Sequence, residues 1–426
     1  MSVALVPCNT RCLNMGDVAM LQVAVARLRT MWPDEELRIF TSDAEALARH
    51  CPGVTPVMLP DQPGWCTDRY LGGRLHSWLP ERLSDRLADA VVRTGCRAPS
   101  LREHLLRLRS TVRQPERRSL RAFIDTIAAA RLLVVGGAGG VADHFGDYAN
   151  LVLLALQCAR RRGIPTAIMS HGFGPLTAPH LRVKAAAVLP KVDTIALREA
   201  RASQPLLVSL GVGLDRVVTT GDDAIELAYE ERPAELGRAV GINLRLARAA
   251  GATERDIEPV REGLRRFLSV CPAPLVGLPI ARQRELDVQA IQQMIAGHDG
   301  DVGQELDTPL KVIRRAGQCR IVVTGAYHAA VFALAQGVPA VCLARTRYFQ
   351  EKFLGLADQF GAGCYLVSLD DDDLPEQLAR TMTFAWDEAP FVRETLWRAA
   401  ARQIAQGLAA YQRLPTLARA RAAPRA

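Results

Sequence analysis

Short apolar runs alternate with segments of helical spacing along most of the chain. The first apolar run covers residues 3–6, and apolar positions spaced as in a helix follow at 18–31. The same pairing returns later, for example at 240–243 and 254–270. Strands separated by helices are typical of parallel sheets with both faces covered. The pattern therefore predicts an α/β protein.

The segment CRIVVTGAYHAAVFALAQGVPAVCL, residues 319–343, is the most regular unit. Its β-branched run ends at Thr324 and Gly325, and the helix predicted over 326–336 is closed by glycine and proline. A strand follows, so the unit is βαβ and places His328 in the first helical turn. Free N–H groups and the helix dipole favour a phosphate or carboxylate beside this imidazole. The alternative is that His328 is an ordinary core or surface histidine.

Polar residues or glycines also follow four predicted strands of the first half. Asn14 and Asp17 lie after the first strand, and Gly137 belongs to the run GGAGG after another. His171 lies in SHGFGP, which we interpret as a turn, and Arg198 closes a further strand. Ligands of α/β sheets bind at the carboxyl ends of strands, so these residues predict a binding edge. For Asp17 the alternative is that it only caps a helix.

The chain divides into two predicted Rossmann-like halves. Residues 1–230 form the first half, which we assign to the acceptor, and 231–390 form the second, which we assign to the donor. A polar connection at 230–238 joins them, and 391–426 form a helical tail. Two such halves facing a cleft are the architecture of GT-B glycosyltransferases. We therefore expect a GT-B-like fold.

The regular alternation is lost between residues 60 and 121. This segment is rich in arginine, proline and tryptophan, and helical spacing is seen at 77–93 and 101–112. We interpret it as an Arg-rich helical insertion in the first half, serving as a lid or an acceptor-binding surface. The alternative is a solvated basic face.

Composition narrows the class of protein. The chain is 49% hydrophobic and 23% charged, has no apolar run long enough to span a membrane, and begins without a basic signal-peptide region. We therefore predict a cytoplasmic location. The ten cysteines form no CxxC pair and no cluster with histidine, so neither a metal nor a cofactor is predicted. The net charge of +8 suits anionic substrates, and it leaves peripheral membrane association open.

The ordered motifs CLNMGD, VVGGAGG, SHGFGPL, ALRE, TTGDDA, GINLR and TGAYHAAVFALAQGVPAV resemble those of the polysaccharide pyruvyl transferase family. The resemblance spans nearly the whole chain outside the Arg-rich insertion. It implies a GT-B-like fold and transfer of the enolpyruvyl-derived unit of phosphoenolpyruvate to sugar hydroxyls, leaving a pyruvate ketal in exopolysaccharide biosynthesis. Members often carry Arg-Leu-His where this chain has Ala326, Tyr327 and His328, and Ser-Gln-Gly where it has Ser170, His171 and Gly172.

Phosphoenolpyruvate carries a phosphate and a carboxylate, for which arginine offers planar paired donors. Addition of a hydroxyl to the donor needs proton transfer, which a histidine can assist. We assign His328 as the catalytic acid and base. The predicted donor-binding residues are Arg198, Arg245, Gly325, Tyr327, Arg345 and Arg347, and the predicted acceptor-binding residues are Asn14, Asp17, Gly137 and His171. For any single arginine the alternative is a surface ion pair.

The expected partners are phosphoenolpyruvate as co-substrate and a sugar, glycan or lipid-linked saccharide as acceptor. One competing interpretation is a GT-B glycosyltransferase that uses a nucleotide sugar, although residues 337–343 supply no carboxylate for a ribose. Others are a related transferase acting on a small natural-product intermediate, and a glycan-binding protein without catalysis. No nucleic-acid-binding module accompanies the basic charge, so no nucleic acid is predicted.

Overall fold

The computed structural model describes residues 2–60, 65–66, 114–247, 250–282, 286–298 and 300–420. Two parallel sheets organise these residues. The first has strand order β3-β2-β1-β4-β6-β7-β8 with β5 beside β6, and the second has order β11-β10-β9-β12-β13-β14. The strands are β1 Ser2–Val6, β2 Glu36–Thr41, β3 Thr55–Met58, β4 Ala130–Val135, β5 Ala138–Val141, β6 Thr166–Phe173, β7 Thr194–Leu197, β8 Val217–Thr219, β9 Ala239–Asn243, β10 Leu275–Gly277, β11 Gly300–Asp301, β12 Cys319–Thr324, β13 Ala340–Ala344 and β14 Cys364–Ser368.

Helices cover both faces of each sheet and connect its strands. Within the described residues they are α1 Met15–Met31, α2 Ala44–His50, α3 Gln114–Ala129, α4 Gly146–Arg161, α5 Pro179–Val188, α6 Ser203–Ser209, α7 Ala224–Glu230, α8 Ile257–Val270, α9 Leu286–Ile295, α10 Pro309–Gly317, α11 Tyr327–Ala335, α12 Arg347–Phe360, α13 Leu374–Gln412 and α14 Leu414–Ala420. None of these helices is long and apolar enough to cross a membrane.

Helix α11 lies at the junction of the two halves. Its sequence YHAAVFALA has few polar residues, and every one of its residues is buried. It leaves the second sheet after β12 and packs against α1 and α7 of the first half. An α-helix that is apolar on all sides is stable only inside a protein. The predicted βαβ unit is therefore confirmed, and it forms part of the contact between the halves.

The last long helix, α13, returns to the first half. The hydroxyl of Tyr411 near its end donates to Asp223 Oδ2 at 2.7 Å, and Arg27 of α1 donates to the other oxygen at 2.8 Å. This helix contains Pro390 and continues across residues 390 and 391, between which we placed the start of the tail. The two helices predicted in the Arg-rich insertion lie outside the described residues, which include only residues 60, 65–66 and 114–121 of the insertion.

The structure corrects two local predictions and adds one helix that was not predicted. Asn14, and not Asp17, caps α1, because its side-chain oxygen accepts from the N–H groups of Gly16 and Asp17. The predicted turn SHGFGP begins inside β6, so His171 lies on a strand. Helix α10 was not predicted, although Thr308 caps it and a proline follows at its first position.

Candidate functional site

A cavity of about 660 Å³ lies between the two sheets, at the carboxyl ends of their strands. Both halves line it. Six of the residues predicted from the sequence are among its lining residues: Asn14, Asp17, Arg198, Arg245, Tyr327 and His328. A site at the carboxyl ends of parallel strands is the place where α/β proteins bind their ligands.

The turn between β12 and α11 sets the position of His328. Thr324 Oγ1 accepts from the N–H of Ala326 at 2.8 Å, and the N–H of Gly325 donates to the carbonyl of Asn243 at 3.0 Å. A Cβ on Gly325 would lie 3.0 Å from the backbone nitrogen of Arg245, so glycine lets two strand ends approach closely. Ala326 has no side chain that could cap α11, so its first N–H groups are left for a ligand.

The His328 side chain lies between two carboxylates of the first half. Its Nε2 lies 3.6 Å from Asp222 Oδ2, and its Nδ1 lies 4.0 Å from Asp17 Oδ1. Asp17 lines the cavity, whereas Asp222 is completely buried behind the imidazole. One ring nitrogen therefore faces the substrate side, and the other faces a fixed carboxylate.

Asp222 was not predicted as a site residue, although it lies in TTGDDA, one of the motifs that resemble the family. Burial raises the pKa of its carboxyl, but nearby His328, Arg198 and the N–H of Ala224 lower it more, so the net shift is downward. The aspartate is therefore ionised, and its negative charge faces Nε2 of His328.

A strained serine holds the turn that carries Asp222. Ser170 lies on β6 with φ of 52°, a left-handed conformation that is uncommon for serine. Its hydroxyl donates to the carbonyl of Gly221 at 3.0 Å and accepts from the N–H of Asp223 at 2.7 Å. These two bonds enclose Asp222. Backbone strain of this kind persists only where the surroundings compensate for it.

Arg198 is the most buried cation of the cavity. Its guanidinium carbon lies 4.3 Å from the centre of the Tyr327 ring, and Nη1 lies 3.8 Å from Asp222 Oδ2. Burial lowers the pKa of this guanidinium, but Tyr327 and Asp222 raise it by more than burial lowers it. The net shift of the pKa is upward, so the group stays positive. Its buried Nε has no hydrogen-bond partner among the described residues. A buried donor of this kind is expected to meet a ligand or water.

Arg245 is oriented from behind by a buried aspartate. Asp287 Oδ1 accepts from Arg245 Nη1 at 2.9 Å, while Oδ2 accepts from the N–H groups of Ile280 and Ala281 at 3.0 and 2.9 Å. The Asp287 carboxylate thus holds both the Arg245 side chain and the loop at residues 280–281, which lines the cavity.

That loop closes one side of the cavity by pairing with the first half. The N–H of Met15 donates to the carbonyl of Ile280 at 2.9 Å, and the N–H of Arg282 donates to the carbonyl of Leu13 at 2.9 Å. Asn14 and Ala281 form an antiparallel bridge between these bonds. The start of α1 is therefore fixed against the second half beside His328.

Helix α12 brings two residues that the sequence did not suggest. Tyr348 and Lys352 both line the cavity. The hydroxyl of Tyr348 donates to the carbonyl of Gly139 at 2.5 Å, which joins the two halves. Lys352 Nζ lies 3.8 Å from the centre of the Tyr348 ring. Nothing in the sequence of an ordinary amphipathic helix marks a lysine as facing a cavity.

The remaining predicted residues are not among those that line the cavity. Arg345 is paired with Asp256 and Asp370, and Arg347 is paired with Glu351 on its own helix. These arginines already have carboxylate partners, so the geometry gives no support to a donor-binding role.

Gly137 and His171 also lie outside the cavity lining. A Cβ on Gly137 would lie 2.0 Å from Met20, so that glycine serves packing. His171 is fully buried and stacks on Tyr148, with ring centres 6.3 Å apart. Burial, and secondarily Arg198, lower its pKa to about 3, so the ring is neutral. Within the described residues, no group of three His, Cys, Asp or Glu side chains could hold a metal ion.

The two facing parallel sheets, with a cavity between their strand ends, define a GT-B-like protein. Solved structures of this architecture align over almost the full chain. UDP-GlcNAc 2-epimerase from Neisseria meningitidis bound to UDP-GlcNAc matches with a TM-score of 0.57 and 13% identity, covering 98% of this chain and 100% of the other. A glycosyltransferase from Rickettsia africae matches with a TM-score of 0.54 and 10% identity, covering 99% of each chain. At these identities the likeness concerns the fold alone.

A model of the polysaccharide pyruvyl transferase family matches residues 14–347. The chain belongs to this family of transferases. The matched segment includes His328, Arg198, Arg245 and Asp222, but ends before Lys352. No curated protein sequence matches the chain.

Proposed function

We propose that this protein transfers the enolpyruvyl-derived unit of phosphoenolpyruvate to two hydroxyls of a sugar or glycan, forming a pyruvate ketal. The family membership supports a transferase with a sugar acceptor. The observation that carries the proposal is the cavity itself, whose lining includes Arg198, Arg245 and Lys352 together with His328. A small substrate with two anionic groups suits basic side chains that line one cavity.

The phosphate and the carboxylate of the donor need two separate binding sites. The uncapped start of α11 and Arg245, which Asp287 holds from behind, supply one. Arg198, whose Nε is unpaired, supplies the other. Helix N-termini and arginine both favour carboxylate and phosphate oxygens. The donor would then lie beside Arg198 and Arg245, with its reacting carbon next to His328.

The reaction forms two bonds from C2 to sugar oxygens, breaks the bond from C2 to the phosphate oxygen, and moves two protons, one to C3 and one to the phosphate. The first sugar hydroxyl forms a bond to C2 of phosphoenolpyruvate while C3 accepts a proton and becomes a methyl group. The C2–O bond to phosphate then breaks, and the electron pair leaves with the phosphate. The second hydroxyl attacks C2, and its proton leaves with the phosphate as hydrogen phosphate. Both oxygens of the ketal therefore come from the sugar.

His328 has the position and chemistry to move these protons. Asp222 faces its Nε2 and would hold a proton on that nitrogen, which leaves Nδ1 for the substrate. Asp17 stands 4.0 Å from Nδ1 and lines the cavity, so it would orient an acceptor hydroxyl. A histidine in this position can accept the hydroxyl proton and deliver it to C3.

Asn14 can take only a limited part in acceptor binding. Its side-chain oxygen already accepts from two N–H groups at the start of α1, so only its NH₂ group is left to donate to a sugar hydroxyl. Phe145 is 40% exposed and lines the cavity beside Tyr348. These aromatic rings would offer a flat apolar surface to the carbon face of a sugar ring.

Calorimetric titration with phosphoenolpyruvate tests the donor without knowledge of the acceptor. We expect binding to the wild-type protein, a loss of about 10-fold or more in Arg245→Ala, and unchanged binding in Arg347→Ala. Arg347 is the matched control, because its side chain is 81% exposed and paired with Glu351. The absence of phosphoenolpyruvate binding to the wild type would refute the proposal.

The competing function is transfer of a sugar from a nucleotide sugar. The Neisseria epimerase was solved with UDP-GlcNAc, and its fold is similar. Residues 337–343 after α11 contain no carboxylate for a ribose, which disfavours this function here. A panel of nucleotide sugars in the same titration separates the two. Binding of a nucleotide sugar without binding of phosphoenolpyruvate would make the protein a glycosyltransferase.

A further inference from the structure

We propose that Tyr411 and Arg27 are positioning residues, which hold Asp222 at its distance from His328. Neither of the two is among the residues that line the cavity. Both bind the carboxylate of Asp223, which follows Asp222 directly along the chain. The end of α13 thus serves catalysis without contacting a substrate. The effect on turnover rests on the proposed function, whereas the effect on the imidazole does not.

Asp222 and Asp223 belong to one turn but have different partners. Oδ2 of Asp222 lies 3.6 Å from His328 Nε2. The two oxygens of Asp223 accept from Arg27 Nη1 at 2.8 Å and from the Tyr411 hydroxyl at 2.7 Å. All five residues are buried, so water does not compete for these contacts. Asp223 therefore anchors the turn from which Asp222 reaches the imidazole.

The hydrogen bonds of the turn link the positions of the two carboxylates. Oδ1 of Asp222 accepts from the N–H of Ala224 at 3.0 Å, and the N–H of Asp223 donates to Ser170 Oγ at 2.7 Å. Ala224 is the first residue of α7, so Asp222 is bound to the start of that helix. A shift of Asp223 moves the same helix start, and Asp222 moves with it.

Helix α13 brings this anchor from the half that also supplies His328. It begins after β14 and packs on α8 of the second half, whereas its end packs against α1 and α7. The fit at this end is close, because a Cβ on Gly221 of the turn would lie 2.4 Å from Gln403 Oε1 of α13. The imidazole and the carboxylate that faces it come from opposite halves. The attachment of α13 to Asp223 therefore fixes one half against the other where these two groups meet.

Arg27 also balances the charge of the turn. Asp222 has Arg198 Nη1 at 3.8 Å, and Asp223 has Arg27, which donates from Nε to Glu226 as well. Neighbouring buried carboxylates repel each other unless each has a cation of its own. Without Arg27 the charge on Asp223 would be buried and unpaired, which is strongly unfavourable. We expect the turn to rearrange in response, and Asp222 with it.

Three variants separate positioning from simple attachment of α13. Tyr411→Phe removes one donor and keeps the ring on which Arg27 packs, with 5.0 Å between its guanidinium carbon and the ring centre. Arg27→Met removes the charge. The control is Arg393→Leu, because Arg393 also attaches α13 by donating to the carbonyl of Pro233. It does so at the end of α11 that lies away from His328.

The ¹⁵N spectrum of the His328 side chain tests the proposal without any substrate. In the wild type and in Arg393→Leu the proton should stay on Nε2, where Asp222 faces it. In Tyr411→Phe and Arg27→Met both tautomers should be populated, as we expect for Asp222→Asn. A loss of stability alone would not change the tautomer, and denaturant titrations measure that loss separately.

Turnover with phosphoenolpyruvate and a panel of methyl glycosides gives a second test. Tyr411→Phe should lower kcat about 5-fold and Arg27→Met about 10-fold or more, with the affinity for phosphoenolpyruvate within about 2-fold of wild type. Added to Asp222→Asn, each change should lower kcat by less than about 2-fold, because the contact through which it acts is already lost. Arg393→Leu should leave kcat within about 2-fold in either background.

The tautomer of His328 decides the proposal. Retention of the proton on Nε2 in both Tyr411→Phe and Arg27→Met would overturn it and make the cluster around Asp223 a structural attachment only. Equal losses of kcat in the wild-type and Asp222→Asn backgrounds would also overturn it, as would a wild type that already populates both tautomers. The expected spectra, combined with no binding of phosphoenolpyruvate to the wild type, would refute the proposed function and leave the positioning role intact. Tyr411→Phe decides the question alone if Arg27→Met does not fold.

Discussion

The imidazole of His328 and the carboxylate of Asp222 come from opposite halves of the molecule and face each other with 3.6 Å between Nε2 and Oδ2. Both atoms are buried, and neither has a hydrogen-bond partner among the described residues. Such a pair is costly when left unbonded, and catalytic hydrogen bonds often tighten only when substrate binds. A small closure of the halves around a ligand would complete this bond and place the proton of His328.

Asp222→Asn should lower kcat for pyruvyl transfer by about 10-fold or more and leave the affinity for phosphoenolpyruvate nearly unchanged. The amide keeps the shape but can both donate and accept a hydrogen bond, so it cannot enforce a proton on Nε2. The ¹⁵N spectrum of the His328 side chain gives a second readout, because the wild type should hold the proton on Nε2 and the variant should populate both tautomers. Unchanged tautomer and kcat in the variant would show that Asp222 has only a structural role.

The sequence was sufficient to predict His328 and its helix. The β-branched run before Thr324, the small helix-forming residues after it and the glycine and proline at its end all act locally. Local propensity, periodicity and caps therefore agree with the final structure. The same holds for Arg198 and Arg245, each of which follows a strand of one of the two sheets, at the carboxyl edge where α/β sheets bind ligands.

The partners of these residues could not be predicted in the same way. Asp222 meets His328 only because α11 packs into the first half, and this contact joins residues more than a hundred positions apart. Lys352 faces the cavity because Tyr348 anchors α12 to Gly139, which no local pattern records. Arg345 was chosen for its position after a strand, but its carboxylate partners come from elsewhere in the fold.

Gly16→Ala should reduce kcat strongly. A Cβ at this position would lie 1.9 Å from Cγ of His328, and the hydrogen bond from Met15 to Ile280 prevents the start of α1 from moving away. The imidazole must therefore shift, which disturbs its distances to both carboxylates. We expect a loss of about 100-fold in turnover, the scale of a misplaced acid and base. The control is Gly146→Ala at the start of α4, where a Cβ would meet nothing within 4 Å. Equal activity of the two variants would contradict this account.

His171→Phe should make the protein more resistant to acid. The native pKa of His171 is lowered to about 3, so on acidification the unfolded chain binds a proton that the native state does not. This lowered pKa means that stability is full above about pH 6.5 and is lost as the pH falls toward 3. Between pH 7 and pH 5 the histidine should cost about 2 kcal/mol of unfolding free energy, and the variant should not show this loss.

Urea denaturation at the two pH values measures the difference. Phenylalanine fits beside Tyr148 and Phe173, with which the histidine ring already packs. His180→Gln serves as the control, because that histidine is exposed and should leave the pH dependence as in the wild type. An equal loss of stability between pH 7 and pH 5 in His171→Phe and the wild type would contradict the assignment.

Tyr411→Phe should destabilise the attachment of α13 to the first half, and more so at higher pH. Burial raises the pKa of Asp223 to about 6, while Arg27 and the Tyr411 hydroxyl act to lower it. A raised carboxyl pKa means that Asp223 favours folding at low pH and that this contribution is lost as the pH rises through 6. Without the hydroxyl the ionised carboxylate loses a donor. We therefore expect a cost of about 2 kcal/mol in unfolding free energy at pH 7.5 and a smaller one at pH 5.

Denaturant titrations at both pH values measure this cost. The control is Tyr229→Phe, whose tyrosine is partly exposed. A cost that does not depend on pH would show that Asp223 does not ionise in this range.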